Sequence, residues 1–464
     1  MSSEPAAEAP GSGQRRFWLT VAVTIVALVL AMVGLTVANA VQGPRLVSAD
    51  VNPRAAVERA GQRLILRLDQ AVAEVPVTDI AVTPAVPVAL SLERATLIVR
   101  FDEVLRYATT YEVVIPVRST TTDAVSKLTY NFRTPDAEVY VLQWAGSDAN
   151  SGSEDQIVRT VVGAGTRDVV QSARGIQEYA VAEPSIAVIT ADDAKAGRLT
   201  VGPVDGSEPA QTLVDNADIS QLQSSGRAGM FGFVARPLSG PDQDLVQLQI
   251  YDPMAGGDLI KVVGFDGKPL APQVWAFVPG TTSIVAQTED ASFFLIDPIN
   301  GAPARPLGSH VMMHGFIYGT ATLIVQDPGG YTAIDLVTGA ASRLPVFDLG
   351  TTAAVYRLFD LPGDHGMVAL LASLADGNLR YSTVTISGTQ FRPLYAPEPR
   401  STLIQKVCLS PNGEYLAVET IPADAVPDNY AFVLGYSKAT TVLVEVSTGR
   451  SDRSVAGFAV NWCD

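Results

Sequence analysis

Three histidines, His310, His314 and His365, and two cysteines, Cys408 and Cys463, are the only residues of their kinds in 464. His310 and His314 fall in "SHVMMHG", four apart, on a stretch whose pattern predicts the innermost strand of a sheet. Residues at that separation share one strand face, so the pair has the geometry of two metal ligands. No carboxylate or thiol in the adjacent sequence completes a set, and structural or channel-lining histidines without a metal are expected. "GSDANSGSEDQ" (146–156) gathers Asp148, Asn150, Glu154 and Asp155. Its spacing does not meet the D-x-[DN]-x-[DN]-G pattern of a calcium loop, so a solvated hairpin loop is expected. The chain has no G-x-S-x-G elbow, no phosphate loop and no H-E-x-x-H. A further insertion, 422–439, carries Tyr430, Phe432 and Tyr436. Aromatic residues on a loop can anchor a partner, and capping a blade would explain them equally well.

Composition narrows the partners. With 32 basic and 48 acidic residues the formal net charge is −16, which opposes nucleic-acid binding, since that requires many cations to displace phosphate counterions. From Phe17 to Pro44 no residue is charged, and about 20 apolar residues cross a hydrocarbon core of about 30 Å. Arg15 and Arg16 precede the run, and Arg45 is the first charge after it. The positive-inside tendency then predicts a cytoplasmic disordered tail (1–16), a transmembrane signal anchor in the lipid bilayer (17–41) and an extracytoplasmic remainder. "ANA" at 38–40 also fits a signal-peptide cleavage site after Ala40. Either reading exports the rest of the chain, and no cysteine near position 40 supports a lipid anchor.

The elements that would position any site are strands. In 44–135, "RLILRLD", "TDIAVTP", "ATLIVRF", "TYEVVIPV" and "LTYNFRT" alternate apolar and polar residues between turn segments, which predicts a β-sandwich. "LILRLDQAV", "IAVTPAV", "LIVRFDEVLRYATTYEVVI" and "YNFRTP" resemble the bacterial Ig-like domain of the surface-layer type. That resemblance implies a non-catalytic spacer or adhesive module, with Tyr111 in its core.

From 136 to 464 a unit of about 35–50 residues recurs, the period of propeller blades. Units end on "IDPING", "IDLVTG" or "VEVSTG", turns in which Gly takes positive φ and polar side chains bond their own backbone. Six units fall near 176–213, 219–263, 273–307, 311–346, 354–394 and 404–455. Strands near 139–144, 156–162 and 167–171, completed by "GFAVNWCD" at the C-terminus, make a seventh blade sewn from both ends. Cys408 and Cys463 then end corresponding strands of neighbouring blades, which predicts a structural disulfide, the rival being two buried thiols. "LSPNGEYLAVE" is similar to the blade signature of TolB-type and WD40-like propellers. The resemblance implies binding of a protein or peptide at one face or in the central channel.

The expected fold is therefore all-β after a transmembrane helix, an Ig-like sandwich followed by a seven-bladed propeller. The expected function is a non-enzymatic, membrane-tethered scaffold of a bacterial cell envelope that binds a protein, peptide or wall glycan, without cofactor or metal. The alternative is a propeller hydrolase, glycosidase or peptidase, acting on envelope material through paired carboxylates.

Overall fold

A computed structural model describes the chain except for residues 1–11, 146–153, 193–195, 227–228, 319, 345–352, 363–365, 376–377, 389, 400, 428–434 and 464. A helix runs Ser12–Val41. Among the described residues no helix is long and apolar enough to cross a membrane. The expected transmembrane helix at 17–41 is corrected accordingly.

The chain divides into two compact units, Met1–Ala56 with Gly61–Glu103 and Thr109–Thr134, and Val57–Ala60 with Val104–Ala108 and Pro135–Asp464. In the first, one antiparallel sheet orders the strands Leu46–Asp50, Arg63–Leu68, Thr96–Phe101 and Val88–Glu93. A second orders Ala81–Thr83, Thr110–Arg118 and Val125–Arg133. Thr110–Arg118 buries every second residue, Tyr111, Val113, Ile115 and Val117, because successive strand side chains point to opposite faces. Phe132 joins the two sheets, with its ring 5.6 Å from Tyr111 and 5.8 Å from Phe101.

The second unit is a ring of antiparallel blades. Blade 1 comprises Glu138–Gln143, Asp155–Val161 and Arg167–Ala173, and the C-terminal residues 457–460 supply its innermost strand. Leu142 and Phe458 exchange both backbone hydrogen bonds, at 2.8 and 2.9 Å. Blade 2 begins at Ile176 and ends on the 14-residue strand Gln211–Ser224, which continues as the innermost strand of blade 3. Blades 4 to 7 are the four-stranded sheets beginning at Val274, Met312, Ala354 and Leu403. The repeats thus form seven blades.

Each junction between neighbouring blades has its own apolar cluster. Phe231 and Phe233 lie between blades 2 and 3, Trp275 between 3 and 4, and Leu416 and Val444 between 6 and 7. A blade strand faces a neighbour on both sides, so central strands read as unbroken apolar runs, and all seven residues of Tyr415–Ile421 are buried. The outer turns close as their sequence requires. Asp297 Oδ1 accepts the Ile299 and Asn300 N–H groups, Asp335 Oδ1 accepts those of Val337 and Thr338, and Gly301 and Gly339 take φ of 64° and 78°.

Candidate functional site

The innermost strand of a propeller blade has no strand partner on its channel side, so residues exposed there face the channel. In five blades this strand bulges. The bulges fall at Gln177 in blade 2, at Gln221 and Leu222 facing the single Phe233 in blade 3, at His314 in blade 5, Tyr356 in blade 6 and Gln405 in blade 7. A bulge sharpens the local twist and re-aims side chains out of the ladder.

Two carboxylates use these irregularities to tie blades together. Glu178 accepts the Gln221 N–H at 3.1 Å on Oε1 and the Leu222 N–H at 2.8 Å on Oε2. Glu419, 3% exposed, accepts the Val460 N–H at 3.0 Å and also bonds the Ala459 backbone. Gln221 and Ala459 have φ of 56° and 54°, so both carboxylates cap a left-handed kink in the inner strand of the next blade. Between them stands Lys406, exposed, paired in register with Glu419 and close enough to attract both. Burial nevertheless pushes both carboxyls above the ordinary glutamate range, outweighing the pull of Lys406 and of the backbone N–H groups.

Further round the ring Arg357 is exposed, and its Nη1 donates to the Met313 carbonyl at 3.4 Å. His314, 4% exposed, has Nε2 3.2 Å from Gln326 Oε1, its ring packs edge-on to Tyr331, and Nδ1 has no partner. Burial lowers its pKa, with the nearby Arg357 adding to the effect. Gln177, 3% exposed, has neither amide atom paired among the described residues. Gln177 and His314 therefore hold buried polar atoms without a partner among the described residues, where buried polar atoms normally have one.

The residues singled out in the sequence have other fates. His310 Nδ1 lies 2.7 Å from Asp327 Oδ1, while Asp327 Oδ2 accepts the Thr332 hydroxyl at 2.6 Å. A carboxylate does reach this histidine, through the fold rather than through adjacent sequence. The structure does not pair His310 with His314 on one ligand, and among the described residues no group of His, Cys, Asp or Glu could hold a metal. Asp155 is buried and not a solvated loop residue: it accepts the Ala145 and Ile176 N–H groups, both at 3.0 Å, linking blades 1 and 2. Glu154 is exposed, while Asp148, Asn150, His365, Tyr430 and Phe432 lie outside the described residues. Tyr436 packs on the cluster holding Tyr140, Leu142 and Phe458, beside the ring closure. Cys408 is disulfide-bonded, and Cys463 is the only other cysteine in the chain.

Sequence reasoning missed Glu178, Lys406 and Glu419. A signal was present, since "GIQEYAVA" and "YLAVETI" each place one carboxylate inside an otherwise apolar strand, where an ionisable group needs partners.

No protein-family model matches this chain, and no curated protein does. Solved β-propellers are similar to it at low identity. The propeller domain of the Trilobed protease from Pyrococcus furiosus is 9% identical with a TM-score of 0.41, over 74% of this chain and 93% of that one. The acylaminoacyl peptidase of Pyrococcus horikoshii is 9% identical with a TM-score of 0.40, over 74% of this chain and 51% of that one. AztD from Citrobacter koseri is 11% identical with a TM-score of 0.37, over 70% of this chain and 96% of that one. The chain spans about half the length of the acylaminoacyl peptidase. Propeller domains of peptidases are among these similar structures, which does not support the expectation that the chain is not an enzyme.

Proposed function

We propose that the second unit recognises a polypeptide segment in its central channel and that this recognition serves hydrolysis of envelope material. The observation that carries the reading is Lys406, exposed on the innermost strand of blade 7, with the carboxylates Glu178 and Glu419 behind it. Ionisable groups shifted by burial and by a specific charge partner concentrate at functional sites. The disulfide at Cys408 supports an oxidising, extracytoplasmic setting. The first unit, with two sheets around one aromatic core, would be an Ig-like spacer that presents the propeller.

The test is to incubate the whole chain with a mixture of unstructured peptides and measure retention and cleavage by mass spectrometry. Retention with cleavage, both reduced in Lys406→Gln, is the expected result. Retention without cleavage removes the hydrolytic part, and absence of retention overturns the recognition reading.

A further inference from the structure

We propose a binding site for a neutral sugar ring, the pyranose unit of a glycan, in a cleft at the junction of blades 7 and 1. The cleft has a volume of about 300 Å³ and is lined by Tyr107, Asp136, Val162, Gly163, Tyr415 and Arg453, all within the second unit. Ligand sites run from about 300 to 1,000 Å³, so this one admits a single compact group and no length of chain. Gly163 lies on the turn joining Asp155–Val161 to Arg167–Ala173, while Tyr415 and Arg453 begin the second and the outermost strand of blade 7. The site is separate from the channel and does not rest on peptide recognition there.

The "LSPNGEYLAVE" segment builds the cleft. In its turn Glu414 Oε2 accepts the Tyr107 N–H at 2.9 Å, and Asn412 Nδ2 donates to the Leu105 carbonyl at 3.1 Å and to Glu414 Oε2 at 3.2 Å. The next residue, Tyr415, sets its ring 6.5 Å from that of Tyr107, with 27° between the planes. Arg453 Nη1 donates to the Tyr415 hydroxyl at 3.0 Å, and its Cζ lies 5.9 Å from the ring centroid. A guanidinium has five N–H donors, and among the described residues Arg453 forms no ion pair. Gly163 keeps the space open, since a side-chain carbon there would lie 3.4 Å from Arg453 Cζ.

The lining selects against charge of either sign. Burial raises the Tyr415 pKa and Glu414 adds to the effect. That carboxylate and Asp136, exposed at the cleft, oppose an anion, while Arg453 opposes a cation. What fits is a neutral group with an apolar face and hydrogen-bonding atoms around its edge. The C–H bonds of a pyranose carry slight positive charge and suit the negative face of an aromatic ring. Its hydroxyls donate to a carboxylate and accept from a guanidinium, so one ring satisfies Asp136 and Arg453 together. The recurring modes of peptide recognition need an open strand edge or an extended groove, which a cleft of this volume does not supply.

The experiment is saturation-transfer NMR on the full chain, with the neutral trimers of N-acetylglucosamine and of mannose, the galacturonate trimer and the peptide Gly-Tyr-Gly as probes. At least one neutral trimer should bind, with transfer to its ring C–H protons, at least fivefold more tightly than the galacturonate trimer. Tyr107→Ala should weaken that binding at least tenfold, and Tyr107→Phe, which keeps the ring, should restore most of it. Ala164→Leu, an exposed change on the cleft wall, should also weaken it with thermal melting unmoved, which keeps the test decisive if Tyr107→Ala fails to fold. A neutral trimer that binds the wild type and both cleft variants equally overturns the site. Equal binding of the galacturonate trimer overturns the selection of a neutral ring. Tyr107-dependent binding of Gly-Tyr-Gly with neither neutral sugar bound overturns the sugar and assigns the cleft to a polypeptide side chain. Binding of no probe at millimolar concentration overturns the proposal and leaves the channel reading as it stands.

Discussion

Replacing Glu419 with alanine removes the acceptor that holds the closing strand of the ring. Two backbone N–H groups, those of Val460 and Ala459, lose their partner in a buried site. Each unsatisfied donor costs about 1–3 kcal/mol, and the gain from no longer burying a carboxylate offsets part of the sum. A net loss of about 2–3 kcal/mol remains. The second unit has roughly 330 residues and an unfolding entropy near 0.7 kcal/mol/K, so Tm should fall by about 3–4 °C. Differential scanning calorimetry at pH 7 measures this, with Glu208→Ala on an exposed turn as the control. The glutamine variant adds a sign. Burial holds the Glu419 carboxyl above the ordinary 4.5, so its contribution to stability is full below pH 4.5 and is lost as pH rises through the folded value. The wild type should therefore gain stability relative to Glu419→Gln as pH falls from neutrality towards 4.5. An alanine variant that melts with the control, or a wild-type advantage that shrinks on acidification, would refute the role assigned to Glu419.

Other consequences follow from the same geometry. Cys408→Ser, or reduction of the wild type, should lower stability by about 2–4 kcal/mol, given the 56-residue span from Cys408 to Cys463; a reductant that leaves the melting curve unmoved would contradict this. A side-chain carbon on Gly232 would lie 2.3 Å from Trp275 Cη2 and 2.7 Å from Ile250 Cδ1, so Gly232→Ala should cost about 1–3 kcal/mol and shift the tryptophan emission. Burial opposes ionisation of Asp327, but bonds from Thr332 and His310 prevail and hold its pKa below the ordinary 3.8. Its stabilisation is therefore present above pH 3.8 and lost as pH falls through the folded value. Asp327→Ala should destabilise blade 5 at pH 7 and flatten the acid limb of the melting profile.

Much of the propeller was legible because its signals are local. The "IDPING" and "IDLVTG" turns need only an aspartate, a following run of N–H groups and a glycine at positive φ. The seventh blade was legible because the strands after 136 lacked a first member and the C-terminus held one to spare. The N-terminal apolar run predicts a membrane span from length and hydropathy, whereas among the described residues no helix is long and apolar enough to cross one. The channel site was illegible as a site. Glu178 and Lys406 are 228 positions apart in the sequence, and only the ring closure, which seats residues 457–460 in blade 1 beside blades 2 and 7, brings them together.

The sequence by itself thus determined the period and the turns, since each depends on contacts within a few residues, and the incomplete strand sets at the two ends of the propeller stretch pointed to a seventh blade. Tertiary structure decided which charged residues meet. That outcome depends on strands paired across the ring and on bulges that add a single residue, and neither leaves a periodic trace in the chain. It also decided that His310 belongs to Asp327 and Thr332, because the fold, and not spacing, carries a carboxylate to the imidazole.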